Sequence, residues 1–133
     1  MKQNLIFILE DEPSDRNFLE ARLREISFVP TTQPNVEDAI KHLDATGDVY
    51  AAYILDMQVP PNKNEEKVYG AGLDLRERLI DRGVQREKIF LMSGFVSLSD
   101  ISVAEKYKVD PNQIIQKDQM TELFLSNLLK IAK

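Results

Sequence analysis

The sequence predicts an α/β domain in three layers, a five-stranded parallel sheet with helices on both faces. Short apolar runs recur without the alternation of half-exposed strands, as strands buried on both faces require. Amphipathic helical patterns separate these runs, which is the order of a parallel sheet built from crossover units. At 133 residues, 43% hydrophobic and 29% charged, the chain has the size and composition of one globular domain.

The first strand is "NLIFIL" (4–9), and it stops at Glu10. Glu12 and Pro13 then start a helix whose Leu19, Leu23 and Ile26 share one face, proline being suited to a first helical turn. A weaker strand is expected in "FVPTTQ" (28–33), where Pro30 cannot donate a ladder hydrogen bond and so belongs at an edge. Asn35, with Asp38 three residues on, is a start signal for a helix presenting Val36, Ala39, Ile40 and Leu43. The third strand is "YAAYIL" (50–55). Leu73, Leu75, Leu79 and Ile80 mark a third helix that ends before Gly83. "KIFLM" (88–92) is the fourth strand, 98–107 a weaker helix, "QIIQK" (113–117) the fifth strand and 121–132 a strong last helix. Right-handed crossovers leave few ways to wind such a chain. The flavodoxin-like strand order 2-1-3-4-5 puts Pro30 on an edge. No repeat, linker or low-complexity stretch is seen, so residues 1–133 are expected to form a single domain.

Composition excludes several functions. The net charge is −5 and no run of lysines and arginines offsets it, so nucleic acid is not an expected partner. No apolar run approaches the roughly 20 residues of a membrane span, and the N-terminus does not read as a signal peptide. With no cysteine, a cytoplasmic location is the default. His42 is the only histidine, so a multi-histidine metal site is excluded. A metal would be held by oxygen, which favours a hard cation such as Mg²⁺.

In this topology ligands bind beyond the C-terminal ends of the strands. There the polar groups gather: Glu10-Asp11 after strand 1, Asp56 after strand 3, Ser93 after strand 4 and Lys117 at the end of strand 5. Each has an ordinary reading alone. Asp56 could cap a turn before Pro60-Pro61, Ser93 could be a loop residue, and Lys117 a solvated charge. Clustered carboxylates, however, repel unless a divalent cation neutralises them. Together with a hydroxyl and an ammonium they suit metal-assisted phosphoryl transfer. Asp56 could attack phosphorus as a carboxylate nucleophile, while Ser93 and Lys117 donate to the phosphoryl oxygens.

Four stretches in order, "FILEDEP", "YILDMQVP", "FLMSGF" and "IIQKD", cover the length of the chain. By them it resembles the receiver domain of two-component response regulators, in the stand-alone, chemotaxis-regulator-like form with no output domain. The resemblance implies that Asp11 and Asp56 are direct Mg²⁺ ligands, Glu10 a water-mediated one, and the backbone carbonyl of Gln58 a further ligand. It implies Asp56 as phosphoacceptor, Ser93 as switch hydroxyl and Lys117 as the phosphate-pairing cation. The implied phosphoryl donor is a sensor histidine kinase or a histidine phosphotransfer protein. The only chemistry implied is the chain's own aspartyl phosphorylation and dephosphorylation.

Three positions depart from the family's usual pattern. Asp118 stands where a proline normally follows the lysine through a cis bond. A cis bond without proline costs about 2.5–4 kcal/mol, so a trans bond and a differently aimed Lys117 are expected. Ile114 replaces an aromatic residue, so a switch would be read out differently. "PPNKNEEKVYGAG" (60–72) is longer than usual, either a tolerated surface insertion or a partner-contacting flap beside Asp56.

The last helix is the expected contact surface for a downstream protein or a second copy. Its apolar rows, Phe124, Leu128 and Ile131 beside Leu125, Leu129 and Ala132, are wider than a core-facing stripe needs. The main alternative function is a receiver-like interaction module that takes no phosphate. A flavodoxin-type cofactor site is disfavoured because "EDEPSD" would repel a phosphate unless a metal intervened. A haloacid-dehalogenase-like phosphatase would need a second acid two residues after its nucleophile, and Gln58 stands there.

Overall fold

A computed structural model describes residues 4–94, 97–120, 124–125 and 130. Five parallel strands form one sheet: β1 (Leu5–Leu9), β2 (Val29–Gln33), β3 (Ala52–Asp56), β6 (Ile89–Ser93) and β7 (Ile114–Gln116). Their order, β2-β1-β3-β6-β7, is the expected winding. A separate antiparallel pair, β4 (Gln58–Val59) and β5 (Val68–Tyr69), was not foreseen and brackets the long segment after Asp56. Among the described residues, the α-helices are α1 (Pro13–Glu25), α2 (Val36–Thr46), α3 (Ala71–Asp81) and α4 (Leu98–Lys106).

The unbroken apolar runs divide between the two sheet faces because successive residues of a strand point opposite ways. Phe7, Leu9, Tyr53 and Leu55 join one buried cluster with Val36, Leu43, Leu75, Leu79 and Ala104 of α2, α3 and α4. Ile6, Ile8, Ile54, Phe90 and Met92 join the other with Leu19 and Leu23 of α1. β2 pairs with β1 alone and stands at the edge, which accommodates Pro30. Asn35 caps α2 by accepting from the Asp38 N–H at 2.8 Å, as its spacing suggests. Pro13 opens α1 behind Glu12.

Several boundaries move. Tyr50 and Ala51 are buried but lie outside β3, which runs instead through Asp56. Lys117 begins a 3₁₀ turn (Lys117–Gln119) beyond β7 rather than ending the strand. Most of the helix expected over 121–132 lies outside the described residues. Phe124 and Leu125, the first members of its two apolar rows, are both buried, and Phe124 meets Phe90 edge-on at 5.5 Å. At that turn both rows face the core, so the contact surface expected on this helix has no exposed member among them.

Candidate phosphoacceptor and metal site

The chain's acids meet where β1 and β3 end side by side, with Leu9 and Leu55 in register. Glu10 follows β1 and is fully buried, its backbone N–H donating to the Gln33 carbonyl at 3.0 Å. Asp56 closes β3 and is 4% exposed. One carboxylate oxygen from each of Glu10, Asp11 and Asp56 lies within 4.8 Å of the others.

Lys117 neutralises part of this charge. Its Nζ lies 2.6 Å from Glu10 Oε1, 2.7 Å from Asp56 Oδ2 and 2.9 Å from Asp15 Oδ2. Burial opposes its charge, but the hydrogen bonds to Asp56, Glu10 and Asp15 outweigh burial and hold its pKa above the ordinary value. For Glu10 the balance runs the other way. Burial first, then the Asp56 charge, raise its carboxyl to about 7 despite the Lys117 contact. No peptide bond among the described residues is cis, so the trans expectation at Asp118 holds, yet Lys117 still reaches Asp56.

These residues fit a hard divalent cation. Asp11 Oδ1 is buried without a hydrogen-bond partner, as a donor atom kept for a cation would be. All three side chains offer carboxylate oxygen, the donor type Mg²⁺ takes. Asp56 Oδ1 accepts from the Gln58 N–H at 2.9 Å, which fixes the carboxylate's orientation and places Gln58 against it.

A cleft of about 390 Å³ opens beside Asp56, walled by Gln58, Lys67, Tyr69, Ser93, Asp100 and Lys117. Ser93 ends β6, and its Oγ donates to Asp100 Oδ2 at 3.4 Å. Asp100 is 2% exposed, closes the capping box of α4 with Ser97, and accepts from the Tyr69 hydroxyl. The structure thus brings together Glu10, Asp11, Asp56, Gln58, Ser93 and Lys117.

The sequence reading did not single out four more contributors. Asp15 was available as the fourth acid of "EDEPSD", but only the fold shows it meeting Lys117. Lys67, Tyr69 and Asp100 gave no local signal. Gly72 is a further structural requirement. A Cβ there would stand 2.1 Å from the Asp56 carbonyl oxygen, so only glycine lets α3 pack against the end of β3.

No protein-family model matches the sequence, and no curated protein matches it significantly. Solved structures do match its shape. The BeF₃-activated N-terminal receiver domain of Klebsiella pneumoniae RstA aligns with a TM-score of 0.75 at 19% identity, over 98% of this chain and 99% of that one. The response regulator TrrA of Thermotoga maritima, in complex with Mg²⁺–BeF, aligns at 0.73 with 21% identity, over 96% and 98%. A response regulator receiver protein from Pseudoalteromonas atlantica gives 0.74 at 13% identity, over 96% and 95%. The fold is therefore that of response regulator receiver domains, spanning nearly the whole chain.

Proposed function

We propose that this chain is a phosphoacceptor receiver that takes a phosphoryl group on Asp56 in a Mg²⁺-dependent reaction. The donor would be a sensor histidine kinase or a histidine phosphotransfer protein. The observation that carries the reading is the convergence of three carboxylates within 4.8 Å on a site also reached by Lys117, at the mouth of a cleft. An Asp56 carboxylate oxygen forms the new O–P bond as the donor's P–N bond breaks, and the departing imidazole nitrogen takes up a proton. Bound Mg²⁺ supplies charge neutralisation for the anionic nucleophile and phosphoryl oxygens, and Glu10, Asp11, Asp56 and the Gln58 backbone carbonyl would hold it. Lys117 orients Asp56 and donates to the phosphoryl oxygens as charge develops there.

The switch is a change of partner by Ser93. Its bond to Asp100 is long at 3.4 Å and therefore weak, and on phosphorylation its hydroxyl would turn to donate to a phosphoryl oxygen. Output is a change in affinity for a downstream protein or a second copy. The chain acts on no other substrate, and its place is with cytoplasmic phosphoryl donors. The Mg²⁺–BeF complex of TrrA and the BeF₃-activated RstA receiver, which share this fold, support the reading.

Incubation with acetyl phosphate and Mg²⁺, followed by intact mass, tests it. A gain of one phosphoryl group that disappears in Asp56→Asn is expected. A gain that survives the substitution would move the site, and no gain with any donor would favour an interaction module that takes no phosphate.

A further inference from the structure

We infer that Lys67, supplied by the long segment between β4 and β5, is a second cation of the phosphoryl site. In the unmodified protein it occupies Asp11 in competition with Mg²⁺, and it turns to the anion on Asp56 once the metal has taken Asp11. This rests on the proposed function.

Lys67 Nζ lies 3.6 Å from Asp11 Oδ2, and Lys67 also walls the cleft that contains Asp56, Ser93 and Lys117. Its position is built rather than left to a free loop. Val68 and Tyr69 pair with Val59 and Gln58, the Gly70 N–H donates to the Met57 carbonyl at 2.9 Å, and the Tyr69 hydroxyl is held by Asp100. The backbone next to Lys67 is thereby anchored to the residues that follow the phosphoacceptor.

Lys67 pairs with Asp11 Oδ2, while Oδ1 of the same carboxylate is the buried oxygen without a hydrogen-bond partner, so an ammonium and a divalent cation on the two oxygens repel each other at close range. Mg²⁺ on Oδ1 therefore binds against Lys67 and pushes it aside, which weakens metal binding when no anion is present. After displacement, the lysine stem allows the ammonium to swing across the cleft. Lys117 already meets three carboxylates, whereas the one ion pair described for Lys67 is with Asp11, at a distance too long for a direct hydrogen bond. Lys67 therefore has capacity to meet a new anion beside Lys117. The same residue disfavours metal alone and favours metal with phosphoryl.

The two halves have opposite signs, which makes them testable without phosphotransfer. Mg²⁺ alone, titrated by calorimetry, should bind Lys67→Met roughly two- to five-fold more tightly than the parent, the range for a half-exposed ion pair. At saturating Mg²⁺, beryllofluoride should bind the same variant more weakly by a similar factor. Lys67→Arg should behave like the parent. Lys63→Met, which removes the same charge from the exposed part of the segment, should change neither affinity. Equal Mg²⁺ affinities for parent and Lys67→Met overturn the competition, and so does an equal gain in Lys63→Met, which would reduce the effect to net charge. Tighter Mg²⁺ binding with unchanged beryllofluoride binding overturns the phosphoryl contact. A parent that binds no Mg²⁺ overturns the metal site of the proposed function together with this role. Unchanged urea midpoints for the exposed-lysine variants keep folding out of the comparison.

Discussion

The Tyr69 hydroxyl donates a hydrogen bond to the buried carboxylate of Asp100, 31 residues further along the chain. The other oxygen of Asp100 takes Ser93 Oγ at 3.4 Å and the Ser97 N–H at 2.9 Å. One carboxylate thus ties the β4–β5 pair to the first turn of α4 and to the expected switch hydroxyl. Tyr69 supplies its own hydroxyl to Asp100 from β5. Burial and the bond to Asp100 raise the phenol to about 12, so Tyr69 is a neutral donor throughout the working pH range.

Tyr69→Phe should therefore destabilise the fold by about 1–3 kcal/mol, because buried Asp100 loses a partner. The low end is expected, since Ser97 and Ser93 remain. Amide exchange at Val68 and Tyr69 should accelerate more than exchange in β1. Unchanged exchange in the β4–β5 pair would mean the hydroxyl does not anchor it.

Lys117 and its three acids should separate cleanly by burial. Lys117→Met leaves Glu10 and Asp56 buried without their cation, which is expected to cost about 3 kcal/mol at pH 7. Asp15 is 44% exposed, so Asp15→Asn should cost under about 1 kcal/mol. Urea unfolding of both variants checks the ranking. Equal losses would show that Asp15, rather than the buried pair, holds Lys117 in place.

The sheet and most of the site were legible because they depend on local pattern. Strands buried on both faces must be apolar throughout, and their polar ends then fall on one rim. Where the reading slipped, the cause was physical. Tyr50 and Ala51 are as buried as a strand, so hydrophobicity marked them without marking which residues join the ladder. β4 and β5 are two residues each, too short for any period, and "NKNEEK" between them reads only as a polar loop. Asp15 and Lys117 are 102 residues apart, and their meeting is decided by how the first turn of α1 and the turn after β7 are brought together. Gly72 reads as loop composition in "YGAG", whereas its cause is the approach of α3 to the Asp56 backbone.

Glu10 should make the metal-free protein less stable as pH rises. Its carboxyl titrates near 7 in the fold against 4.5 ordinarily, chiefly through burial and then the Asp56 charge. A raised pKa means that the folded state holds the proton more tightly. The stabilisation is present in full below about 4.5 and is lost as pH climbs through about 7. Glu10→Gln cannot titrate, so subtracting its stability curve from the parent's should leave this fall. Saturating Mg²⁺ favours the carboxylate form and should move the fall to lower pH. A flat difference curve between pH 4.5 and 7 would show that Glu10 is ionised throughout.

Gly72→Ala separates helix propensity from close packing. In an exposed helix the exchange stabilises by about 1 kcal/mol. Here the added methyl would lie 2.1 Å from the Asp56 carbonyl oxygen and 2.7 Å from its carbon, both backbone atoms with no rotamer to escape into. Either α3 withdraws or the end of β3 shifts, and an overpacked contact of this kind costs about 1–3 kcal/mol. The displaced backbone is that of the proposed phosphoacceptor itself, flanked by the Gln58 N–H that orients its Oδ1. Phosphoryl uptake from acetyl phosphate should therefore fall several-fold in protein that circular dichroism shows to be folded. Uptake at the parent rate, with stability unchanged or improved, would mean that α3 yields freely and that Gly72 does not set the position of Asp56.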